Sequence, residues 1–388
     1  RSLLNNPNPT APQDPYGDIR SCVPINPFGA GSINQAALNY YRGTSWTRSQ
    51  QDQDVFAANL SGNPFATWAG DVKFAVGAEY RREQTILTAD ADSALRRWRS
   101  INSQPFTGKF DVKEGYAEVV VPLATGAAFA DSLDINGAIR YTDYELSGAV
   151  TTWKVGLNYS PIPDVRFRAT LSRDIRAPNN FELFSRGNQV INGIIDPVDN
   201  VARPTLQLTT GNPALEPEKA DTFTAGVVIQ PDFLPGLRAS IDYYRIKINQ
   251  AIATVPPQSI ADFCEAGRTE FCASVIRNPT TGVIAQINAA PFNAESLKTS
   301  GVDVELQYRF AFLGGDMNLR GLANYVAELA TTSNGETNDY VGLAGIGAPP
   351  QGVPEWRVNL DANYAIGDFK FGIGYRYIDG GKFDTRFN

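Results

Sequence analysis

The sequence predicts an all-β protein, an antiparallel up-and-down transmembrane β-barrel of which about twelve strands lie in the chain. Three observations predict this fold. Apolar and polar residues alternate along segment after segment, short and long connections alternate between the segments, and tyrosines recur near the ends of the apolar faces. Many of the segments reach about ten residues or more, whereas strands of soluble sheets average about 5 to 6 residues.

The segment 164–230 shows the repeating unit most clearly. A short turn at 160–163 leads into the alternating strand 165–172, about forty proline-rich residues follow, and the strand 222–229 alternates again. This pattern is typical of a barrel with close turns on the periplasmic side and large loops outside.

The remaining elements follow the same rule. The predicted strands cover 53–61, 71–81, 116–123, 133–142, 153–159, 165–172, 222–229, 237–243, 302–310, 317–325, 356–364 and 369–377, and the close turns lie at 62–70, 124–131, 160–163, 231–236, 313–315 and 366–368. The residues before 53 are predicted to be loop. The alternation slips after Tyr244, because Ile246 and Ile248 fall on the polar side, and we expect a bulge or the membrane boundary there.

The composition excludes several classes of function. No window approaches the roughly 18 consecutive apolar residues of a membrane helix. The net charge of −7 argues against nucleic acid as a partner. The chain has no histidine, so Ser-His or Cys-His catalysis and His-based zinc sites cannot be built. We therefore predict no catalytic site, no metal site and no cofactor.

The chain has three cysteines. Cys264 and Cys272 lie close together in one predicted loop, and a disulfide formed in an oxidising compartment is the preferred interpretation. Two unpaired thiols are the alternative. Cys22 has no evident partner.

Two blocks of the sequence lie on either side of the predicted large loop: SRDIRAPNNFELF, ending at Phe184, and GNPALEPE, ending at Glu218. They resemble the blocks that flank a large extracellular loop in TonB-dependent outer-membrane receptors. The segments 23–29, 75–83, 277–282 and 296–306 match as well, and the cysteine-containing loop resembles a branch common in proteobacteria. The motif residues carried over are Arg176, Ala177, Pro178, Glu182, Leu183, Phe184, Asn212, Pro213, Leu215, Pro217 and Glu218.

The resemblance implies a barrel of about 22 strands with an N-terminal plug and a TonB box. The chain 1–388 is then a single, partial barrel domain, with the plug, roughly six strands before it and roughly four after it lying outside the sequence. It further implies an outer-membrane protein of a Gram-negative bacterium. Its expected partners are TonB, reached through the plug, the outer-membrane lipid and a small-molecule nutrient.

The resemblance favours active import of a scarce nutrient such as a siderophore, a vitamin or a glycan. The alternatives are a passive porin, a structural or assembly barrel whose large loops bind a partner protein, and an outer-membrane enzyme. Inward charges such as Arg81, Arg140 and Arg168 are expected to brace the barrel wall.

Candidate ligand contacts come from the chemistry of the loops alone. Trp98 stands among three arginines and is suited to stacking on a sugar or binding an anion, but packing on a neighbouring loop is the preferred interpretation. The guanidinium and amide groups of the large loop are suited to binding polyols or carboxylates. Asp196 and Asp199 are weaker candidates, for the binding of a cation. The candidate residues are Arg96, Arg97, Trp98, Arg99, Arg186, Asn188, Gln189 and Asn192.

Overall fold

The computed structural model describes residues 23–98, 102–293, 296–333, 336–344 and 352–382. In chain order the elements are α1 (Gln35–Tyr41), β1 (Thr47–Thr67), β2 (Gly70–Ala89), α2 (Ala91–Ala94), β3 (Asn102–Ser103), β4 (Phe106–Ala127), β5 (Ala130–Tyr144), β6 (Gly148–Ile162), β7 (Val165–Arg176), α3 (Asn180–Phe184), β8 (Asn188–Asp196), β9 (Val201–Thr209), β10 (Glu218–Ile229), β11 (Leu237–Asn249), β12 (Ile252–Thr254), α4 (Pro257–Glu265), α5 (Thr269–Cys272), β13 (Val275–Arg277), β14 (Ile284–Ala289), β15 (Pro291–Asn293), β16 (Ser296–Phe312), β17 (Gly315–Ser333), β18 (Glu336–Asp339), β19 (Trp356–Ile366) and β20 (Phe369–Ile378).

Twelve long strands in the described part of the chain form one antiparallel sheet. Its order is β1-β2-β4-β5-β6-β7-β10-β11-β16-β17-β19-β20, and β18 pairs with β17 as a short addition. Each long strand therefore pairs with the next long strand along the chain, which confirms the predicted all-β, up-and-down fold. None of the helices in the described ranges is long and apolar enough to cross a bilayer.

The two faces of this sheet differ in polarity. Ile139 on β5 and Val155 on β6 stand on the outward face with exposed fractions of 54% and 47%. A broad exposed apolar face would be a liability in water, but it suits contact with lipid chains. The inward face carries ion pairs, among them Arg168 with Asp242 at 2.6 Å and Arg140 with Glu114 at 3.5 Å. The first pair reaches across β10, which lies between β7 and β11, and the second joins the adjacent strands β5 and β4.

The strands are longer than the hydropathy pattern predicts. β1 runs from Thr47 to Thr67 and pairs with β2 along that length, so the predicted turn 62–70 shrinks to Trp68 and Ala69. Likewise, the turn 124–131 shrinks to residues 128–129. The hydrogen-bonded ladder continues where neither face requires apolar side chains, so alternation in hydropathy marks only part of each strand.

The slip in alternation at Tyr244 is not a bulge. Tyr244 pairs with Thr224 and with Gly301 in an unbroken register. Ile246 and Ile248 are half-buried at the loop end of the strand, where folded loops cover the inward side. A register shift does occur on the far side of Gly301, the partner of Tyr244, where β16 pairs with β17.

The predicted N-terminal loop contains one short helix. The side chain of Asn34 accepts a hydrogen bond from Ala37 N at 2.8 Å and caps α1. A helix this short carries little hydrophobic periodicity, so the sequence pattern did not reveal it.

An arginine on the outward face should test the orientation of the sheet. We expect Val155→Arg to lower the free energy of unfolding in lipid vesicles by about 2 to 4 kcal/mol, because the charge would enter hydrocarbon. The matched control is Lys154→Arg, which places the same side chain one residue away on the inward face and should change stability little. Urea unfolding in vesicles measures both, and equal effects would contradict the assigned faces.

Candidate functional site

Two long connections on the same side of the sheet fold together. The first loop, 177–217, joins β7 to β10, and the second loop, 250–293, follows β11. β9 of the first loop pairs in parallel with β14 of the second, within a five-stranded sheet of order β13-β14-β9-β8-β3. We call this sheet, together with α4 and α5, the loop unit.

The loop unit has its own hydrophobic core. The buried members come from both loops and are Ile194, Ile260, Ala261, Ile284, Ile287 and Ala289. Ile287 is fully buried. Ile194 comes from the first loop and the other five from the second, so Ile194 is buried against the second loop.

Polar contacts also join the two loops. Arg277 of the second loop donates to Asp196 of the first through Nη1 and Nη2 at 2.8 and 3.1 Å. The Gln258 side chain exchanges two hydrogen bonds with the backbone of Ile195. Within the second loop, a disulfide joins Cys264 to Cys272, the pair that the sequence indicates, whereas Cys22 lies outside the described residues.

Asp196 is an anion held in a nearly buried position, with 3% of its surface exposed. The hydrogen bonds from Arg277 lower the pKa of Asp196 below its ordinary value, despite the opposing effect of burial. The carboxylate therefore carries its charge at neutral pH and stabilises the joined loops.

The start of the first loop is anchored to the inward face of β4. Asn179 and Glu182 form a capping box, which fixes the short helix α3. Leu183 of α3 and Leu215 at the loop's end pack with Phe110 and Val112 in a second buried cluster. A Cβ at Gly108 would overlap the Phe184 ring, so the glycine at this position allows α3 to pack closely against β4.

Arg176, at the end of β7, clamps both ends of the first loop. Its Nε donates to Glu218 at 2.7 Å and its Nη1 to Glu182 at 3.0 Å. Glu218 also accepts from the backbone N of Ile252 at 2.6 Å, which ties in the second loop. We call Arg176, Glu182 and Glu218 the clamp.

The other motif residues support the same anchor. Asn212 donates its backbone N to Glu182 O at 2.7 Å and its Nδ2 to Pro291 O at 2.9 Å, which again joins the loops. The motif residues that complete this region are Ala177, Pro178, Pro213 and Pro217. The geometry gives the motif a structural role, because its charged side chains bind each other.

Trp98 is engaged within the protein. Its indole Nε1 donates to Asp90 at 3.1 Å, and its ring lies against Gly43. Asp90 also accepts from Ser93 and Trp46, and the Ser93 hydroxyl is the largest cause of the lowered pKa of Asp90.

The arginines around Trp98 do not converge on it. Arg97 donates to Asp92 at 3.3 Å, and Arg96 is exposed with a positive φ of 56°. Arg99 lies outside the described residues. The described members of this group therefore form no pocket around the indole.

The candidates of the first loop meet the Trp98 region through β3. Asn102 pairs with Gln189 and Ser103 with Asn188, while the Asn102 side chain holds the Trp98 backbone at 2.8 Å. The exposed candidates are Arg186, Asn188 and Asn192. Gln189 Oε1 is buried without a hydrogen-bond partner among the described residues.

The proposed cation ligands are already paired. Asp196 binds Arg277, and Asp199 binds Arg203 at 2.6 Å. Within the described ranges no three His, Cys, Asp or Glu side chains group closely enough to hold a metal ion.

Sequence reasoning missed a cavity of about 540 Å³ beside α3. We call it the mouth cavity; it is lined by Gln51, Gln53, Glu83, Thr85, Asn180 and Phe181 among others. Residues 51–53 fall at or before the predicted start of β1. The one sequence signal for this cavity is the polar alternation along β1 and β2. No pattern in the sequence of α3 indicates that this helix lies beside those strands.

The comparisons with known proteins identify the fold family. The family described as TonB dependent receptor-like, beta-barrel, matches residues 7–388, so the chain belongs to this family of outer-membrane barrels. A search of the curated proteins found no match.

Solved structures of similar fold are receptors. The siderophore receptor PirA from Acinetobacter baumannii is 16% identical, with a TM-score of 0.56 over 86% of this chain and 44% of its own. A ferric enterobactin receptor (PfeA) mutant from Pseudomonas aeruginosa, in complex with enterobactin, is 13% identical, with a TM-score of 0.60 over 86% and 42%. A hemophore receptor HasR double mutant from Serratia marcescens, with its hemophore HasA and heme, is 14% identical, with a TM-score of 0.55 over 86% and 52%. The chain therefore spans about half the length of these structures or less.

Removing the clamp should loosen the first loop. Arg176→Ala leaves Glu182 and Glu218 without their common partner, and we expect amide protection in 180–184 and 212–217 to fall about tenfold, or about 1.4 kcal/mol. Hydrogen exchange on the full-length protein measures this. Arg173→Ala is the matched control. Arg173 lies on β7, as Arg176 does, and makes a bidentate pair with Asp221 of β10, but it touches no loop residue of the clamp. Equal loosening in both variants would contradict the clamp.

The Asp196 pair should make the loop unit sensitive to acid. Because the folded-state pKa of Asp196 is lowered, its stabilising effect is complete above the ordinary aspartate value of about 3.9 and is lost as the pH falls below it. We expect pepsin cleavage within the loop unit, normalised to an unfolded substrate, to rise below that pH. The Asp196→Asn variant should be cleaved rapidly already at pH 5, because the substitution lowers the stability of the loop unit by about 2 kcal/mol.

The control for this acid sensitivity is Asp199→Asn. Asp199 pairs with Arg203 within a single hairpin and is more exposed, so its loss should matter less. A wild-type loop unit that resists pepsin equally at pH 5 and pH 2 would contradict the role assigned to Asp196.

Proposed function

We propose that this chain is the barrel part of an outer-membrane receptor that imports a scarce small-molecule nutrient with TonB-coupled energy. The observation that carries the proposal is the loop unit clamped over the inward face of the sheet, in a chain of the TonB-dependent receptor family. Folded, anchored loops provide a defined surface for ligand capture.

Similar folds in PirA, PfeA and HasR support a receptor of small ligands. By this likeness the nutrient is a siderophore or another compact molecule of low abundance, and partner proteins can meet the exposed loops. The family and these neighbours are receptors, so an enzymatic role has no support from them.

A passive porin is the main rival. It would leave an open path through the barrel. The family match, described as TonB dependent receptor-like, favours a receptor over an open channel.

Two measurements on the full-length protein test the proposal. We expect liposomes containing it to show no swelling in iso-osmotic arabinose, and we expect a purified periplasmic domain of TonB to retain it on an affinity column. Swelling together with failure to bind TonB would replace the receptor by a porin. A protein that neither swells liposomes nor binds TonB would favour the assembly role.

A further inference from the structure

One row of directly paired residues crosses the outward face of the sheet from β6 to β16. Side chains of directly paired residues share one face of a sheet, and Trp153, the first member of the row, pairs with the outward-facing Ile139. In order across the sheet, the members of the row are Trp153, Arg173, Asp221, Lys247 and Lys298.

The carboxylate of this row is already engaged by an arginine. Asp221 accepts hydrogen bonds from Nε and Nη2 of Arg173 at 2.8 and 3.1 Å. Lys247 and Lys298 then lie directly opposite each other, with Cβ atoms about 5 Å apart. Like charges in this position destabilise a sheet, so an anion bound between the two ammonium groups would stabilise it.

Two more cations lie on the same face beside this pair. Lys219 is two residues from Asp221 on β10, and Arg245 is two residues from Lys247 on β11. We call Lys219, Arg245, Lys247 and Lys298 the cationic patch.

The cationic patch lacks carboxylate partners within the part of the chain that the structure describes. None of its four side chains forms an ion pair there. The carboxylates of Glu328 and Asp339, on the next strands of the sheet, come within ion-pairing distance of none of them. The positive charge of the patch is therefore available to a ligand.

The patch borders the lipid-facing surface. Phe223 lies directly opposite Arg245, and Tyr243 precedes Arg245 by two residues toward the close turns. Both rings are exposed on the outward face, with centroids 6.2 Å apart. Aromatic side chains are typical of the membrane interface, so the cations just beyond them lie at the level of the outer-leaflet head groups.

The loop end of the neighbouring strands carries mixed charges instead. Arg82 of β2 makes a bidentate pair with Asp111 of β4 at 2.9 and 3.1 Å. Lys113 of β4 lies directly opposite Asp143 of β5. An excess of unpaired cations is thus a particular feature of the surface from β10 to β16, and not a general property of the outward face.

The charge of the patch matches two phosphate groups. A phosphate monoester carries about −1.5 to −2 charges near pH 7, so two of them balance four cations. Neighbouring strands are about 4.8 Å apart, so the patch extends about 10 Å across β10, β11 and β16. One lipid head group can contact several of its members at once.

We propose that the cationic patch binds an outer-leaflet lipid whose head group carries two phosphate monoesters. Lys247 and Lys298 hold one phosphate between them, and Arg245 contacts the second from the membrane side. The acyl chains lie against Phe223 and Tyr243. This site is on the outside of the sheet and binds a membrane component, so it requires neither TonB nor an imported nutrient.

Native mass spectrometry of the full-length, delipidated protein in detergent tests the site with three lipids. The probes are diphosphoryl lipid A, its monophosphoryl form with the same acyl chains, and phosphatidylglycerol. We expect the diphosphoryl lipid to bind at least tenfold more tightly than the other two. Lys247→Gln combined with Lys298→Gln should weaken its binding about tenfold.

Lys109→Gln combined with Lys113→Gln is the matched control. It makes the same two changes on β4, on the outward face at the loop end, where acidic residues lie nearby. This variant should bind the diphosphoryl lipid as tightly as the wild type does.

Urea unfolding in vesicles separates lost binding from lost folding. In phosphatidylcholine alone, the Lys247→Gln, Lys298→Gln variant should be at least as stable as the wild type, because the opposed charges are gone. Adding diphosphoryl lipid A should raise the unfolding midpoint of the wild type and of the control, but not that of the variant.

Three outcomes overturn the proposal. They are equal binding of the diphosphoryl and monophosphoryl lipids, diphosphoryl binding that survives the change at Lys247 and Lys298, and an equal loss of binding in the control variant. None of these measurements involves TonB, so capture by TonB without lipid binding would remove this site and leave the import function.

Discussion

The demand that every backbone N–H and C=O find a partner governs this molecule. In hydrocarbon an unpaired backbone group is costly, so strands must pair along their whole spanning length. The long strands meet that demand, because they pair in continuous antiparallel order from β1 to β20. Because every second side chain then faces lipid, the polar inward chains are free to form the ion pairs that brace the wall, such as Arg168 with Asp242.

The same constraint is relaxed beyond the membrane, and the polarity of the two faces changes there. Near the loop end of β4, Phe110 and Val112 point inward and are buried beneath α3. Ile246 and Ile248 of β11 follow the same reversal. The inner wall is therefore polar where it faces the lumen and apolar where the folded loops rest on it, which gives those loops a fixed seat.

The sequence was informative where a single physical rule acts residue by residue. Lipid imposes period-two alternation, so the twelve long strands and their order were predictable. Thr47 to Asp52, the first residues of β1, are all polar and therefore lacked the signal. The loop unit could not be predicted, because Ile194 and Ile287 come from separate loops and no local period links them. Trp98 shows a further limit of sequence analysis, because an aromatic ring among arginines suggests a ligand site. In the structure its indole N–H donates a hydrogen bond to Asp90, eight residues earlier.

The parallel pairing of β9 with β14 has a consequence for engineering. Leu206 lies opposite Gln286 and Thr209 opposite Ala289, so inserting one residue on either side would turn one strand's core side chains toward solvent. A chimera that receives only one of the two loops from a relative would inherit this mismatch, and the loops must be transplanted as a pair. A foreign epitope is better displayed at residues 197–200, the turn between β8 and β9, where length can change without disturbing that register.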